Sequence, residues 1–107
     1  MRAGDIIEAI DEIESFVSGM TFEQFAADTR TCKAVLADFA IIGEAAMHLP
    51  ADAVSTAPHI NWRQIRRMRN IIVHVYFGID YRIVWQTIKD DLPPLRAVVT
   101  GFLGADE

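Results

Sequence analysis

One cysteine, Cys32, stands in a chain of 107 residues. No intrachain disulfide framework can form, and a reducing compartment is the natural setting. A nucleophilic Cys32 would need a base and an electropositive setting, and toward the C-terminus its only charged close neighbour is Lys33. It therefore reads as a small core filler. No apolar run reaches the ~18 residues of a membrane helix. The longest attempt, Ala34 to Leu49, is interrupted by Asp38, Glu44 and His48. No basic-then-apolar leader pattern opens the chain, so the expectation is a cytoplasmic domain without a membrane partner. Alternating strand patterns and internal repeats are missing too, as are a glycine-rich phosphate loop and a Gly-x-Ser-x-Gly elbow. His48, His59 and His74 share no ligand spacing and there is no second cysteine, so no metal site is expected. His48 and His59 read as surface or connector residues.

What remains is helical and apolar. The length suits one domain, residues 1–107, with a single core. An apolar fraction of 51% exceeds that of ordinary soluble domains, and the surplus points to a homodimer with an apolar interface. The net charge of −5 argues against a general nucleic-acid coat protein, although a local basic patch can act within an acidic whole. Acids gather early, with Asp5, Glu8, Asp11, Glu12 and Glu14 against one arginine, Arg2. That first segment is a solvated face or a docking face, and the solvated reading is the simpler.

Along the chain, Ile6, Ile7, Ile10, Ile13, Phe16 and Val17 fall at helical spacing in a segment from Ala3 to Val17 that Gly19 ends. Thr21-Phe-Glu-Gln24 is a capping-box pattern opening a short helix through about Ala27. A helix from around Thr29 to Leu49 carries Val35, Leu36, Phe39, Ile42 and Met47. Residues 50 to 58, with two prolines, read as a connector. Asn61-Trp-Arg-Gln64 is a second capping-box pattern, and the helix it opens breaks at Gly78. Asp80 can cap a further helix through roughly Lys89, with Ile83, Val84 and Ile88 inward. Leu92-Pro93-Pro94 predicts a kink or restart, after which Leu95, Val98, Val99, Phe102 and Leu103 form a last amphipathic piece. The fold class is all-α, an up-down bundle of four to five helices.

The chemistry concentrates between Arg63 and Asp80. Arg63, Arg66, Arg67 and Arg69 fall within seven residues, without a lysine among them. At about 100° per residue, Ile65, Met68, Ile72 and Val75 make an apolar stripe, joined by Ile71 and flanked by Trp62 and Val73. Arg63, Arg66, Arg67, Asn70 and His74 gather opposite. Arg66, Asn70 and His74 stand in i, i+4 steps, so their side chains can meet. Arg69 falls within the apolar arc and needs a partner or the edge of the core, because an unpaired buried charge is costly. Glu44 is the first candidate for that partner. The bland reading is a solvated, arginine-rich face. Against it, arginine in place of lysine suits bidentate grip on phosphate, His74 on the arginine face is of the one residue type able to change charge near neutral pH, and Tyr76 ends the helix beside them. Arginines holding a phosphate while a histidine moves a proton fit ribonuclease chemistry by 2′-OH attack, without a metal.

Arg69-Asn70-x-x-x-His74-x-Tyr76 matches the R-x4-H-x-Y signature of HEPN domains, and the chain resembles the HepT-like toxins among them. The flanks that carry the resemblance are Ile42-Gly43-Glu44-Ala45, Asn61-Trp62-Arg63, Tyr76-Phe77-Gly78-Ile79-Asp80, Ile83-Val84-Trp85 and Asp91-Leu92-Pro93, across about residues 3 to 103. The resemblance implies a homodimeric, metal-independent ribonuclease toxin of a two-gene toxin–antitoxin module. It makes Arg69 and His74 the catalytic pair, contributed by both subunits to a composite cleft. It also implies an MntA-like minimal nucleotidyltransferase antitoxin that uses ATP to place AMP on Tyr76, with no cofactor held by this chain. Bulk and negative charge at Tyr76 would oppose RNA beside His74. In this scheme Asn70 orients the phosphate or His74, and Arg63, Arg66 and Arg67 bind the RNA backbone. An alternative is a non-catalytic module that presents a nucleotide or protein substrate to a nucleotidyltransferase partner.

Overall fold

The computed structural model describes residues 2–74 and 78–106, with side chains over 2–70 and 78–104. Its order is α1 (Arg2–Val17), α2 (Phe22–Ala27), α3 (Thr29–Met47), α4 (Ala51–Ser55), α5 (Trp62–His74), α6 (Tyr81–Gln86), a π-helical turn (Thr87–Asp91) and α7 (Leu92–Asp106). No strand occurs among the described residues. The fold is all-α, as the patterning implied. Four rods carry the bundle: α1, α3, α5, and the nearly continuous run of α6, π turn and α7.

The centre is α3, which packs against α1 on one side and α5 on the other. Its buried stripe of Val35, Phe39 and Ile42 belongs to one core cluster with Ile6, Ile10 and Ile13 of α1 and Leu95 and Val99 of α7. Burial of this kind is worth roughly 1.5–3 kcal/mol per large side chain and is the main force closing the bundle. The Arg96 guanidinium holds the Asp11 carboxylate at 2.9 and 3.3 Å, and Leu103 lines one groove with Gly4 and Ile7. Advancing along α7 therefore means retreating along α1, so the two are antiparallel.

Local chemistry sets the helix starts. Thr21 and Gln24 make the reciprocal capping box, Thr21 Oγ1 accepting the Gln24 N–H at 3.1 Å and Gln24 Oε1 accepting the Thr21 N–H at 2.9 Å. Asp28 starts α3 by accepting the Thr31 N–H at 3.0 Å, and its carboxyl lies below the usual range chiefly through that bond. Asp80 caps α6 by accepting the Arg82 N–H at 2.9 Å.

Several expectations need correction. Residues 51–55 form a short helix rather than a bare connector. Pro50 precedes it, and two of its five residues are alanine, the best helix former. The restart expected at Leu92-Pro93-Pro94 does hold: α7 begins at Leu92, directly after the π turn, and Leu92 is followed by Pro93 and Pro94. They occupy the first turn of α7, where a missing N–H costs little. The ladder adapts upstream, where the Leu92 N–H reaches back five residues to the Thr87 carbonyl. Phe16, Met47 and Ile83, expected inward, are exposed. Ile83 neighbours the buried Val84, and successive helical positions point about 100° apart. Cys32 is core filler as read: its thiol is buried and donates to the Phe25 carbonyl at 3.1 Å. Burial pushes its pKa up, away from nucleophile behaviour.

Candidate active site

The cap and the packing at its start fix α5. At its start, Asn61 Oδ1 accepts the Gln64 N–H at 3.1 Å, while the Asn61 amide donates to Gln64 Oε1 at 3.4 Å. The return bond thus comes from the asparagine side chain rather than its backbone. Gln64 also reaches Asp91 on the π turn at 3.4 Å. The Trp62 indole N–H donates to the Ala57 carbonyl at 3.0 Å, and its ring stacks with Phe102. Ile65 and Met68 are buried, as the apolar stripe required; Ile71, Ile72 and Val75 of that stripe lie outside the described side chains.

Gly43 brings α5 unusually close to α3. A Cβ there would collide with the Arg69 amide nitrogen and lie 3.1 Å from the Arg66 carbonyl oxygen and the Arg69 Cα. Only glycine allows this crossing. The next residue, Glu44, then stands beside the emerging Arg69 side chain. Arg69 Nη1 donates to Glu44 Oε2 at 2.9 Å, and Glu44 Oε1 lies 3.2 Å from His48 Nε2. Glu44 is therefore the partner of Arg69, as proposed from sequence. Arg69 also reaches the edge of the core, as the alternative required: its side chain is 46% exposed at the rim of α3. The Glu44 carboxyl is held below the usual range, first by Arg69 and second by His48. His48 and His59 are both exposed, as read.

The other basic residues separate from Arg69. Arg63, Arg67 and Asn70 line a groove of about 810 Å³ together with Gln64, Ile83 and Thr87. Among the described residues, neither Arg63 nor Arg67 makes an ion pair. Arg66 is half-buried, its carbonyl turned toward Gly43. Arg69 and Glu44 lie instead at one end of a groove of about 550 Å³ between α1 and α3, whose wall carries Asp5, Glu8, Glu12 and Asp38. The expected separation of Arg69 from Arg63, Arg67 and Asn70 is present, whereas Arg66, expected with them, lines neither groove. His74 is the last residue of α5, but its side chain lies outside the described ones, and Tyr76 lies outside the described residues altogether.

Asp38 was missed by the sequence reading. It is only 3% exposed, and its pKa is pushed up to about 7, first by burial and then by Glu12 and Glu8. The signal was available: Asp38 falls three residues after Val35 and four before Ile42, squarely on the buried stripe of α3. Among the described residues, no three His, Cys, Asp or Glu side chains are grouped as metal ligands. No described helix is long and apolar enough to cross a membrane.

Comparison with known proteins adds the family. The profile described as Ribonuclease HepT-like matches residues 6–101. A Thermococcus cleftensis protein named "Probable ribonuclease HepT" is 45% identical over 92 residues, covering 86% of this chain and 84% of that protein. Two proteins named "Putative RNase", from Methanocaldococcus jannaschii and Caldanaerobacter subterraneus subsp. tengcongensis, are 35% and 34% identical. They cover 96% and 92% of this chain, and each is itself 88% covered. No solved structure matches the chain.

Proposed function

The chain belongs to the ribonuclease HepT-like family, and on that premise we propose that it is an RNA-cleaving toxin with Arg69 and His74 as its catalytic pair. The observation that carries this reading is the setting of Arg69, exposed yet held at 2.9 Å by Glu44 at the crossing of α3 and α5. A guanidinium so placed keeps N–H donors to offer a phosphate. In the reaction, the 2′-oxygen of a ribose loses its proton and bonds to the adjacent phosphorus. The 5′-oxygen of the next nucleotide leaves and takes up a proton. His74 serves one or both of these transfers, and Arg69 offsets the charge that grows on the phosphorane oxygens. The scheme draws on no metal, so cleavage persists in EDTA.

The division of basic residues supports a composite site. Arg69 faces away from the groove of Arg63, Arg67 and Asn70, so one chain offers phosphate contacts on two separate surfaces. A homodimer that joins two copies along α5 would gather them into one RNA path. The exposed Ile41, Met47 and Ile83 add apolar surface such an interface could cover. Arg63, Arg66 and Arg67 hold the backbone of RNA, and Asn70 orients the phosphate or His74.

Control of the toxin falls to Tyr76, two residues past His74 in sequence. A minimal nucleotidyltransferase, MntA-like, moves AMP from ATP onto its hydroxyl, which puts a phosphate where RNA would bind. Two tests follow. Expression without the antitoxin arrests growth and degrades RNA for the wild type but not for His74→Ala; equal arrest by both would overturn the assignment of His74 and leave the binding-module alternative. Incubation with the nucleotidyltransferase and ATP adds about 329 Da per AMP to the wild type and nothing to Tyr76→Phe. Equal labelling of Tyr76→Phe would remove Tyr76 as acceptor.

A further inference from the structure

The geometry points to Glu44 as the positioning residue of Arg69, with His48 bracing Glu44 from the next helical turn. This inference rests on the reading of Arg69 as the phosphate-facing arginine. Two consecutive residues of α3 divide the work. Gly43 sets the depth of the backbone, since any side chain there would push the Arg69 amide away from α3. Glu44 then sets the direction of the side chain, through the 2.9 Å contact to Nη1. An exposed arginine without such a contact samples many rotamers, and each is lost when it meets a phosphate.

The contact is suited to orienting rather than sequestering. Arg69 meets one carboxylate oxygen through one nitrogen, so most of its five N–H donors stay available for phosphate oxygens. The second oxygen of Glu44 is engaged by His48 at 3.2 Å, which stops the carboxylate from swinging away from Arg69. Arg69 and His48 both hold the Glu44 carboxyl below the usual range, so it stays anionic across neutral pH. The bland alternative is an exposed ion pair with no functional effect, the common fate of such pairs.

Cleavage kinetics with the full chain separate the two. Glu44→Ala should lower kcat about tenfold with KM changed less than about twofold, and Glu44→Gln, which keeps an acceptor for Nη1, should restore most of it. Adding Glu44→Ala to Arg69→Ala should cost nothing more. A Glu44→Ala protein as fast as wild type, beside an inactive Arg69→Ala, would overturn the positioning role while leaving the ribonuclease reading intact. Full activity of Arg69→Ala would instead overturn the reading of Arg69 itself. A measurement independent of cleavage is the {1H}–15N NOE of the Arg69 Nε–Hε group. It should fall in Glu44→Ala and recover in Glu44→Gln; an unchanged value would refute the inference whatever the RNA assay shows.

Discussion

On one flank of α5, Arg69 leans over α3 and is clasped by a carboxylate at the lip of an acidic groove. On the other flank, Arg63 and Arg67 stand over a groove shared with Asn70 and make no ion pair among the described residues. The residue type is the same, the helix is the same, and the surroundings are opposite. A fixed arginine acts through geometry and is suited to a transition state. Unpaired arginines act through charge and are suited to holding a polyanion in any of several registers. The two flanks should therefore respond differently to mutation, salt and pH.

The largest difference should appear in catalysis. Arg69→Ala is expected to lower kcat for RNA cleavage by about 10²–10³-fold, the usual cost of removing one donor to a developing oxyanion. Single-turnover kinetics at saturating enzyme check this, and a loss below about tenfold would place Arg69 among the mere binders. The next effect is on stability. Gly43→Ala forces the α3–α5 crossing apart at the Arg69 amide and should cost about 1–3 kcal/mol, read by urea denaturation. An unchanged midpoint would mean that the close approach is dispensable.

Asp38 tests the acidic side of the comparison. Its folded-state pKa of about 7 lies above its ordinary 3.8, so the folded chain binds more protons than the unfolded one between those values. This group therefore makes stability fall as pH rises from about 4 to 7, with its full penalty reached above 7. Asp38→Asn should raise Tm at pH 8, by about 4–8 °C for each kcal/mol recovered, and flatten that part of the pH profile. A lower Tm at pH 8 would show that the ionised carboxylate has a partner stabilising it.

The smallest and most diffuse effect belongs to the basic groove. Arg63→Ala and Arg67→Ala should each weaken binding of a non-cleavable RNA across all sequences and reduce the slope of log K against log salt by roughly 0.7–1. Their kcat at saturation should be little changed. A large kcat loss with an unchanged salt slope would erase the proposed distinction between the flanks.

How much of this was legible in the sequence depended on the range of the interaction. The caps at Thr21 and Asp80 and the starts of α3 and α5 were readable because they are local. The apolar faces were readable from spacing except at their margins, where Phe16, Met47 and Ile83 turn outward, and so was the isolation of Arg69 from its neighbours. The Arg69–Glu44 pair was reachable because a misplaced charge demands a partner; the close approach at Gly43 that brings the two together was not. That Arg69 would need a partner or the edge of the core was also readable; that it has both, at the rim of α3, was not, since it depends on where α5 crosses that helix. Nor was the π turn before Pro93, where the ladder rearranged upstream of the prolines rather than at them. Asp38 could have been found by asking which polar residue the buried stripe of α3 carries.

The central claim is that His74 moves a proton while a ribose 2′-oxygen attacks phosphorus beside Arg69. Mass analysis of the fragments from a short single-stranded RNA, treated with wild type or His74→Ala in EDTA, tests it most directly. The wild type should give fragments ending in 2′,3′-cyclic phosphate and 5′-hydroxyl, His74→Ala should give none, and a 2′-deoxy nucleotide at the cut should protect the strand. Cleavage of the deoxy-substituted strand, or equal cutting by His74→Ala, would contradict the account.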